Sequence, residues 1–332
     1  MTDLVVSSPA GLFCPAGGFH IDPWEPSERA VLTHVHADHA RPGSAAYLGT
    51  EASVPFLRRR LGEDAAVQGA PYGERIRLGD AVVSFHPAGH VLGSAQVRIE
   101  AAGEVWVVSG DYKRAPDPTC LPFEPVRADV FVTEATFALP IYRWPEPEAV
   151  AAEVMAWWDR NREAGVASLL FCYAMGKAQR LLAELARLTD RTVLVHGAVA
   201  EMTDLYREQG VALLPTARVA EMPARRSYAG ELVLAPLSAG GTTWVRRFGE
   251  RETAFASGWM RVRGTRRRKG YDRGFVLSDH ADWPALLRTV EETGAERVLA
   301  THGYTEELAR FLRERGREAG VLATHFEGEA DV

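Results

Sequence analysis

The feature that most constrains this chain is a run of histidines and an aspartate directly after a short apolar segment. Residues 30–33 have the pattern of a buried strand, and an H-x-H-x-D-H sequence follows at 34–39. In an extended segment alternate side chains face the same way, so His34, His36 and Asp38 can converge while His39 begins a turn. With 10 histidines in 332 residues, chance would produce this pattern on the order of 0.0004 times per chain. The pattern therefore indicates a metal site.

The residue types of this motif indicate which metal it suits. Three imidazoles and a carboxylate favour zinc or another first-row divalent ion over magnesium or calcium, which prefer oxygen ligands. One ion cannot use every group, so further ligands are of interest. Three candidates lie at predicted strand ends: His90 in A-G-H-V-L-G-S-A, Asp111 in S-G-D-Y-K and His302 in A-T-H-G.

Length and composition bound the class of protein. The chain is 46% hydrophobic and 25% charged, which is typical of a packed globular protein. Its 332 residues suit two domains, or one large α/β unit with an insertion. Three cysteines without C-x-x-C spacing indicate neither a disulfide framework nor a zinc ribbon. We find no membrane-spanning run and no basic leader, so we expect a cytoplasmic protein without membrane association.

Hydrophobic patterning divides the chain into a β-rich first third and a later region where helices and strands alternate. Short apolar runs predict strands at 81–85, 105–108 and 130–133. Alternation of the two element types predicts βαβ units. The predicted elements of the later region are a helix at 147–162, a strand at 168–172, a helix at 177–188, a strand at 192–195, a helix at 282–293, a strand at 297–301, a helix at 304–315 and a strand at 320–325.

The ordered set of these motifs resembles the metallo-β-lactamase fold. The A-G-H-V-L-G-S-A segment is similar to the version in β-CASP nucleases, which include the cleavage and polyadenylation endonuclease, ribonuclease J and the Artemis group. Residues 171–182 and 256–260 resemble segments of the β-CASP insert. The branch resembled most is the bacterial ligase-associated DNA exonuclease. The resemblance implies an α/β fold, an αββα metallo-β-lactamase sandwich formed by 1–140 and 277–332, with an inserted α/β β-CASP-like domain at 141–276.

The resemblance also implies roles for individual residues and a pair of divalent ions, zinc or alternatively manganese. The family's acidic motif falls on Glu134, and its next motif falls on His280 in S-D-H-A-D. A histidine at 302 is closer to the polyadenylation factor and ribonuclease J than to the Artemis group. The implied metal-binding sets are His34, His36 and His90 for one ion, Asp38, His39 and His302 for the second, and Asp111 as the bridge.

The predicted chemistry is hydrolysis of a phosphodiester. Two divalent ions about 3.5 to 4 Å apart can generate hydroxide at neutral pH and clamp a phosphate. The departing sugar oxygen needs a proton, and His280 is the candidate acid, with Glu134 keeping its imidazole protonated and oriented. The alternatives are a positioning role for His280 and a solvated strand-end carboxylate for Glu134.

A basic segment is the predicted substrate grip. Residues 261–273 hold seven basic residues against one acidic residue, Asp272, in a chain whose net charge is −6. Such clustering is typical of phosphate binding, and a solvated basic loop is the alternative. Lys113, next to Asp111, either contacts a phosphate or points to solvent. The predicted substrate-binding residues of the basic segment are Arg261, Arg263, Arg266, Arg267, Arg268 and Lys269.

The sequence therefore predicts a metal-dependent nuclease, with a DNA exonuclease acting in DNA repair preferred. One alternative is an RNA-processing ribonuclease of the β-CASP group. Another is a small-molecule ester or thioester hydrolase on the same fold, which would need neither the insert nor the arginine-rich segment. A non-catalytic scaffold would be expected to have lost ligands. The predicted partner is nucleic acid, DNA over RNA, and the resemblance implies DNA ligase or helicase repair partners.

Overall fold

A computed structural model describes residues 3–223, 225–262 and 270–324. Over these residues the chain divides into two compact units. The first contains residues 3–115, 120–142 and 280–324, and the second contains 116–119 and 143–279. The sequence analysis places the domain boundaries after residues 140 and 276. In the structure the corresponding boundaries between the compact units fall after residues 142 and 279.

The secondary structure follows the predicted alternation. The strands of the first third are β1 (Val6–Ser8), β2 (Gly11–Cys14), β3 (Phe19–Ile21), β4 (Ala30–Val31), β5 (Tyr47–Thr50), β6 (Val67–Ala70), β7 (Ile76–Leu78), β8 (Ala81–Pro87), β9 (Ala95–Ala101), β10 (Glu104–Val108) and β11 (Val130–Ala135). The later strands are β12 (Ala167–Phe171), β13 (Val193–Val195), β14 (Thr216–Arg218), β15 (Leu232–Ala235), β16 (Arg251–Ala256), β17 (Arg273–Phe275), β18 (Arg297–Gly303) and β19 (Glu318–Val321). The α-helices are α1 (Val54–Leu61), α2 (Pro147–Glu163), α3 (Lys177–Leu185), α4 (Gly197–Glu208), α5 (Trp283–Thr293) and α6 (Thr305–Glu314).

The first unit contains two sheets. One has the strand order β1-β2-β3-β4-β5-β6, and the other has the order β19-β18-β11-β10-β9-β8-β7. Apolar side chains of both sheets form one buried cluster, with Val31 and Leu48 from one sheet and Val83 and Ile99 from the other. The buried apolar area of this cluster holds the sheets together through the hydrophobic effect.

Strand β11 is buried along its whole length. It pairs in parallel with β10 on one side and with β18 on the other. Its residue Phe131 packs in a second cluster with Leu286 of α5 and Leu308 of α6. A parallel strand that is covered on both faces reads as a continuous apolar run, which explains why V-F-V-T was recognisable in the sequence. The same burial encloses Glu134, near the end of the strand.

The second unit is built on a parallel sheet in the order β14-β13-β15-β12-β16-β17. Apolar residues of α2, α3 and α4, among them Val154, Leu181 and Val199, cover one face. The other face packs against residues of short 3₁₀ turns such as Ala239 and Met260. The chain is thus a mixed α/β protein with several sheets. Among the described residues, no helix has the length and apolar character to cross a membrane.

Candidate metal centre

The predicted ligands come from separate segments of the first unit and lie close together. The histidine segment follows β4, His90 follows β8, Asp111 follows β10, and His302 lies in β18. Their donor atoms form groups within 4.8 Å of one another. These groups are His34, His36, His90 and Asp111; Asp22, His34 and His39; His39, Asp111 and His302; and Asp111, Glu134 and His280.

The histidine segment differs from the extended conformation expected from the sequence. Strand β4 ends at Val31, and residues 37–39 form a turn. The backbone N–H groups of His39 and Ala40 donate to the carbonyl oxygen of His36 at 3.1 and 2.8 Å. The chain therefore turns at His36, and this turn, rather than strand alternation alone, brings His39 into the cluster.

Two glycines allow the backbone beside two of the ligands to pack closely against neighbouring segments. Gly110, before Asp111, has φ +55°, and a Cβ there would lie 2.6 Å from the Thr33 side chain. Gly303, after His302, has φ +85°, and its Cβ would lie 2.4 Å from the carbonyl oxygen of Ala135. Positive φ and such close contacts exclude a side chain. The glycines in S-G-D and T-H-G are therefore required by the backbone that presents the two ligands.

One oxygen of Asp111 is surrounded by imidazoles. Its Oδ2 lies 3.5 Å from His34 Nε2, 3.4 Å from His39 Nε2, 3.9 Å from His90 Nε2 and 4.0 Å from His280 Nε2. Burial alone would raise the pKa of Asp111, but His39 and His280 outweigh it and hold the pKa well below its usual range. An ionised carboxylate surrounded by imidazoles could serve as a ligand shared by two neighbouring cations.

His34, His36 and His90 form the first predicted ligand set. Their ring centroids are 4.7 to 4.8 Å apart, and His90 Nε2 lies 3.0 Å from His36 Nδ1. Burial lowers the pKa of His34 and of His36, which favours the neutral imidazoles that bind metals. The buried Nε2 of His34 has no hydrogen-bond partner among the residues that the structure describes. Burying a polar nitrogen without a hydrogen-bond partner costs folding free energy, and binding a metal ion would remove that cost. The position of this atom is therefore suited to a metal ligand.

The second predicted set is less buried. His302 is half-buried, and its ring centroid lies 5.4 Å from that of His39. Asp38 Oδ2 lies 3.7 Å from His39 Nε2, and Asp38 belongs to none of the four groups whose donor atoms lie within 4.8 Å. The structure thus brings His39, Asp111 and His302 together, with Asp38 beside them.

Asp22 is a site residue that the sequence analysis missed. Its Oδ2 lies 2.8 Å from His39 Nδ1, and its carboxylate accepts from the Thr33 N–H at 2.8 Å and from Thr33 Oγ1 at 2.5 Å. Burial lowers the pKa of His39, but Asp111, Asp38 and Asp22 together raise it well above its usual value. Metal-binding imidazoles commonly donate their second N–H to a carboxylate, which fixes the ring. An aspartate directly after the short strand β3 was the available signal.

We expect Asp22→Asn to weaken metal binding about 10- to 100-fold, the usual cost of losing a carboxylate that orients a metal-binding histidine. The amide can still accept from Thr33, but it is a poor partner for His39 Nδ1–H. Competition with a chromogenic zinc chelator measures the affinity. Asp80→Asn, at an exposed position in the same unit, is the matched control. Equal affinities in wild type and Asp22→Asn would exclude an orienting role.

Glu134 and His280 form a buried pair. His280 Nδ1 lies 2.8 Å from Glu134 Oε2, and the Tyr112 N–H donates to Glu134 Oε1 at 2.8 Å. Burial raises the pKa of Glu134, and His280 opposes that shift. The Glu134 side chain is 1% exposed, which does not fit the alternative of a solvated carboxylate. The pair leaves His280 Nε2 facing the Asp111 side of the cluster, 4.0 Å from Oδ2.

The predicted substrate-binding residues have different outcomes. Lys113 is buried, at 1% exposure, so the alternative in which it points to solvent does not hold. Arg261 is exposed at the end of the 3₁₀ helix Gly258–Arg261. The other predicted substrate-binding residues of the basic segment lie outside the described residues: Arg263, Arg266, Arg267, Arg268 and Lys269.

Comparison with known proteins supports the β-CASP metallo-β-lactamase group. The chain is 32% identical over 314 residues, 94% of its length, to a "Probable DNA ligase" of Opitutus terrae, of which the match covers 30%. It is 27% identical over 159 residues to the endoribonuclease YSH1 of Gibberella zeae, covering 46% of this chain and 19% of that one. An RNase J-like protein of Methanocaldococcus jannaschii is 25% identical over 143 residues, covering 41% and 34%. No family model matches the chain.

These relatives are longer proteins, and the matched region spans about a third of their length or less. Among solved structures, a protein of unknown function from Enterococcus faecalis V583 matches with a TM-score of 0.59 and 12% identity. The match covers 90% of this chain and 80% of that one, and it supports likeness of fold alone. The relatives therefore support the group, and the activity of this chain is a separate question.

Proposed function

We propose that this chain is a two-metal phosphodiesterase that hydrolyses nucleic acid, acting as a DNA exonuclease in DNA repair. The observation that carries the proposal is the Asp111 carboxylate oxygen, which lies 3.4 to 4.0 Å from four imidazole nitrogens. We further propose that the first unit is an αββα metallo-β-lactamase sandwich and that the second is its β-CASP-like insert.

Each residue set has a role in this proposal. His34, His36 and His90 would hold one ion, Asp38, His39 and His302 the second, and Asp111 would be shared. Divalent ions bound there supply positive charge for the phosphate and lower the pKa of a water nucleophile. The imidazole-rich set favours zinc, with manganese as the alternative. Glu134 holds His280 so that its Nε2 can give a proton to the departing oxygen.

DNA is preferred as the substrate because the relative that covers nearly the whole chain is named a probable DNA ligase. RNA is the second candidate, since relatives that cover less than half of the chain are named as ribonucleases. A small-molecule hydrolase is less well supported, because a good leaving group needs no buried Glu134–His280 pair. A ligase or helicase partner and a cytoplasmic location belong to the same proposal.

Labelled substrates test this proposal directly. The purified protein is incubated with 5′-labelled and 3′-labelled DNA and RNA, single-stranded and duplex, with zinc or manganese. We expect shortening of DNA from one end that stops when the ions are chelated. Faster cleavage of RNA would support the ribonuclease candidate instead. Absence of cleavage of every nucleic acid would contradict the proposal.

The basic segment predicts a salt effect. Each phosphate contact changes the slope of log K against log salt by about −0.9 for duplex DNA and −0.7 for single strands. Replacing Arg266, Arg267 and Arg268 by alanine should weaken binding to all sequences and flatten the slope by about two to three units. Fluorescence anisotropy at several salt concentrations measures it.

A matched control replaces three exposed arginines of the first unit, Arg288, Arg310 and Arg315. These changes remove the same charge elsewhere on the protein. An unchanged slope in the first variant, or an equal change in both, would mean that the basic segment is an ordinary solvated loop.

A further inference from the structure

A cavity of about 470 Å³ lies in the second unit, at the amino-terminal edge of its parallel sheet. Trp158 and Arg162 of α2 line it, together with Arg191 just before β13 and residues 229–231 just before β15. Open α/β sheets usually bind ligands at the carboxyl ends of their strands. This cavity is at the opposite edge, so the proposed nuclease chemistry does not explain it.

Positive charge predominates in the lining. Arg162, Arg191 and Arg226 line the cavity, and Glu231 is the acidic residue among its described lining residues. Arg226 pairs with Glu231, and Arg191 Nη2 donates to Asp159 Oδ1 at 2.6 Å. Arg162 is exposed, and its side chain makes no hydrogen bond or ion pair within the part of the chain that the structure describes. One guanidinium charge is therefore left uncompensated in a chain whose net charge is −6.

Several contacts position the Arg191 guanidinium, and one of its nitrogen donors is unused among the described residues. Its guanidinium lies 4.0 Å from the centroid of the Trp158 ring, and its Nε donates to Thr189 Oγ1 at 3.1 Å. The indole is fixed in turn, since Trp158 Nε1 donates to the carbonyl oxygen of Gly230 at 3.0 Å. The buried Nη1 of Arg191 has no hydrogen-bond partner among the described residues. A guanidinium with an unused donor is suited to a further oxygen acceptor.

We propose that this cavity binds the phosphate group of a nucleotide, carried either by a free mononucleotide or by a nucleic-acid strand. Guanidinium groups match phosphate oxygens in charge and in hydrogen-bond geometry. The volume of about 470 Å³ is within the usual range for small-molecule sites, about 300 to 1,000 Å³. It leaves room for a sugar and a base beside the phosphate. The partly exposed Arg191 guanidinium, backed by the buried Trp158 ring, offers a surface for a base.

The test uses the full chain with a chelator, so that the metal centre does not contribute. Isothermal titration measures binding of deoxyadenosine 5′-monophosphate and, separately, of a short oligothymidine that has no terminal phosphate. The main variant is Arg162→Glu, because Arg162 is exposed and its replacement does not disturb the core. Arg160→Glu is the matched control, since Arg160 is exposed on the same helix, pairs with Glu252 and does not line the cavity.

We expect wild type and Arg160→Glu to bind alike, and Arg162→Glu to bind about 10- to 100-fold more weakly. Arg226→Ala should weaken binding in the same direction. A loss seen with the mononucleotide indicates a free nucleotide as ligand, whereas a loss seen only with the oligonucleotide indicates a strand. Three results would overturn the proposal. These are no binding of either probe, an equal loss of affinity in both glutamate variants, or wild-type binding of polyglutamate, a polyanion without phosphate, as tight as that of the nucleotide probes.

Discussion

Asp111→Asn should abolish cleavage and leave fewer than two divalent ions bound per chain. The carboxylate oxygen of Asp111 lies within 4.0 Å of four imidazole nitrogens, and in the proposed site it is the ligand that both ions share. An amide carries no charge to hold two neighbouring cations, so both the affinity and the spacing of the ions are lost. Elemental analysis after metal loading and dialysis measures the ion content, and turnover of labelled DNA measures activity.

The matched control is Asp80→Asn, which removes the same charge from an exposed position of the same unit. It should keep wild-type ion content and turnover. Circular dichroism shows whether Asp111→Asn keeps the fold, because an unfolded variant would lose its ions for another reason. A folded Asp111→Asn protein with two tight ions and normal turnover would contradict the two-metal proposal.

His280→Ala should retain both ions and lose about 10²- to 10⁴-fold in rate on natural nucleic acid, the usual contribution of a general acid. The imidazole is fixed through Nδ1 by Glu134 at 2.8 Å, which directs Nε2 toward the Asp111 side of the cluster, where the proposed proton transfer takes place. A nitrophenyl ester of a nucleotide needs no such proton, since nitrophenolate leaves as a stable anion. The variant should therefore lose far less activity on this ester.

Glu134→Gln serves as the graded comparison. It keeps the imidazole and removes the charge behind it, so it should show a milder form of the same selective loss. Equal losses on both substrates with intact ion content would assign His280 to positioning rather than to proton delivery. Loss of an ion from His280→Ala would instead make it a ligand, which its grouping with Asp111 and Glu134 permits.

The parts of the site that follow from residue type and order could be predicted from the sequence. Several histidines and aspartates grouped at a strand end rarely occur by chance, so such a group can be recognised in the sequence. A buried strand such as β11 is recognisable by its apolar run. A capping role was also predictable for Asp282, whose Oδ1 accepts from the Ala285 N–H at 3.0 Å at the start of α5. These features depend on local sequence, so a single chain is enough to find them.

The parts that depend on contacts between distant segments could not be predicted. Asp22 is 17 positions from His39 and has no recognisable spacing to it, yet it bonds the His39 ring. The turn at His36 depends on two backbone hydrogen bonds that apolar periodicity does not report. Helix α3 ends at Leu185 rather than at 188, because helix ends are fixed by capping contacts.

The position of β18 between β11 and β19 determines when the first unit can fold. Roughly 160 residues of chain separate the end of β11 from the start of β18. At a synthesis rate of about 5 to 20 residues per second, the edge of β11 that pairs with β18 remains unpaired for on the order of 10 to 30 s. Residues 143–279 of the second unit, which are nearly all of it, emerge within that interval and can fold first. The metal centre is thus completed last, when His280 and His302 follow the second unit, after an exposed strand edge has passed through its period of greatest aggregation risk.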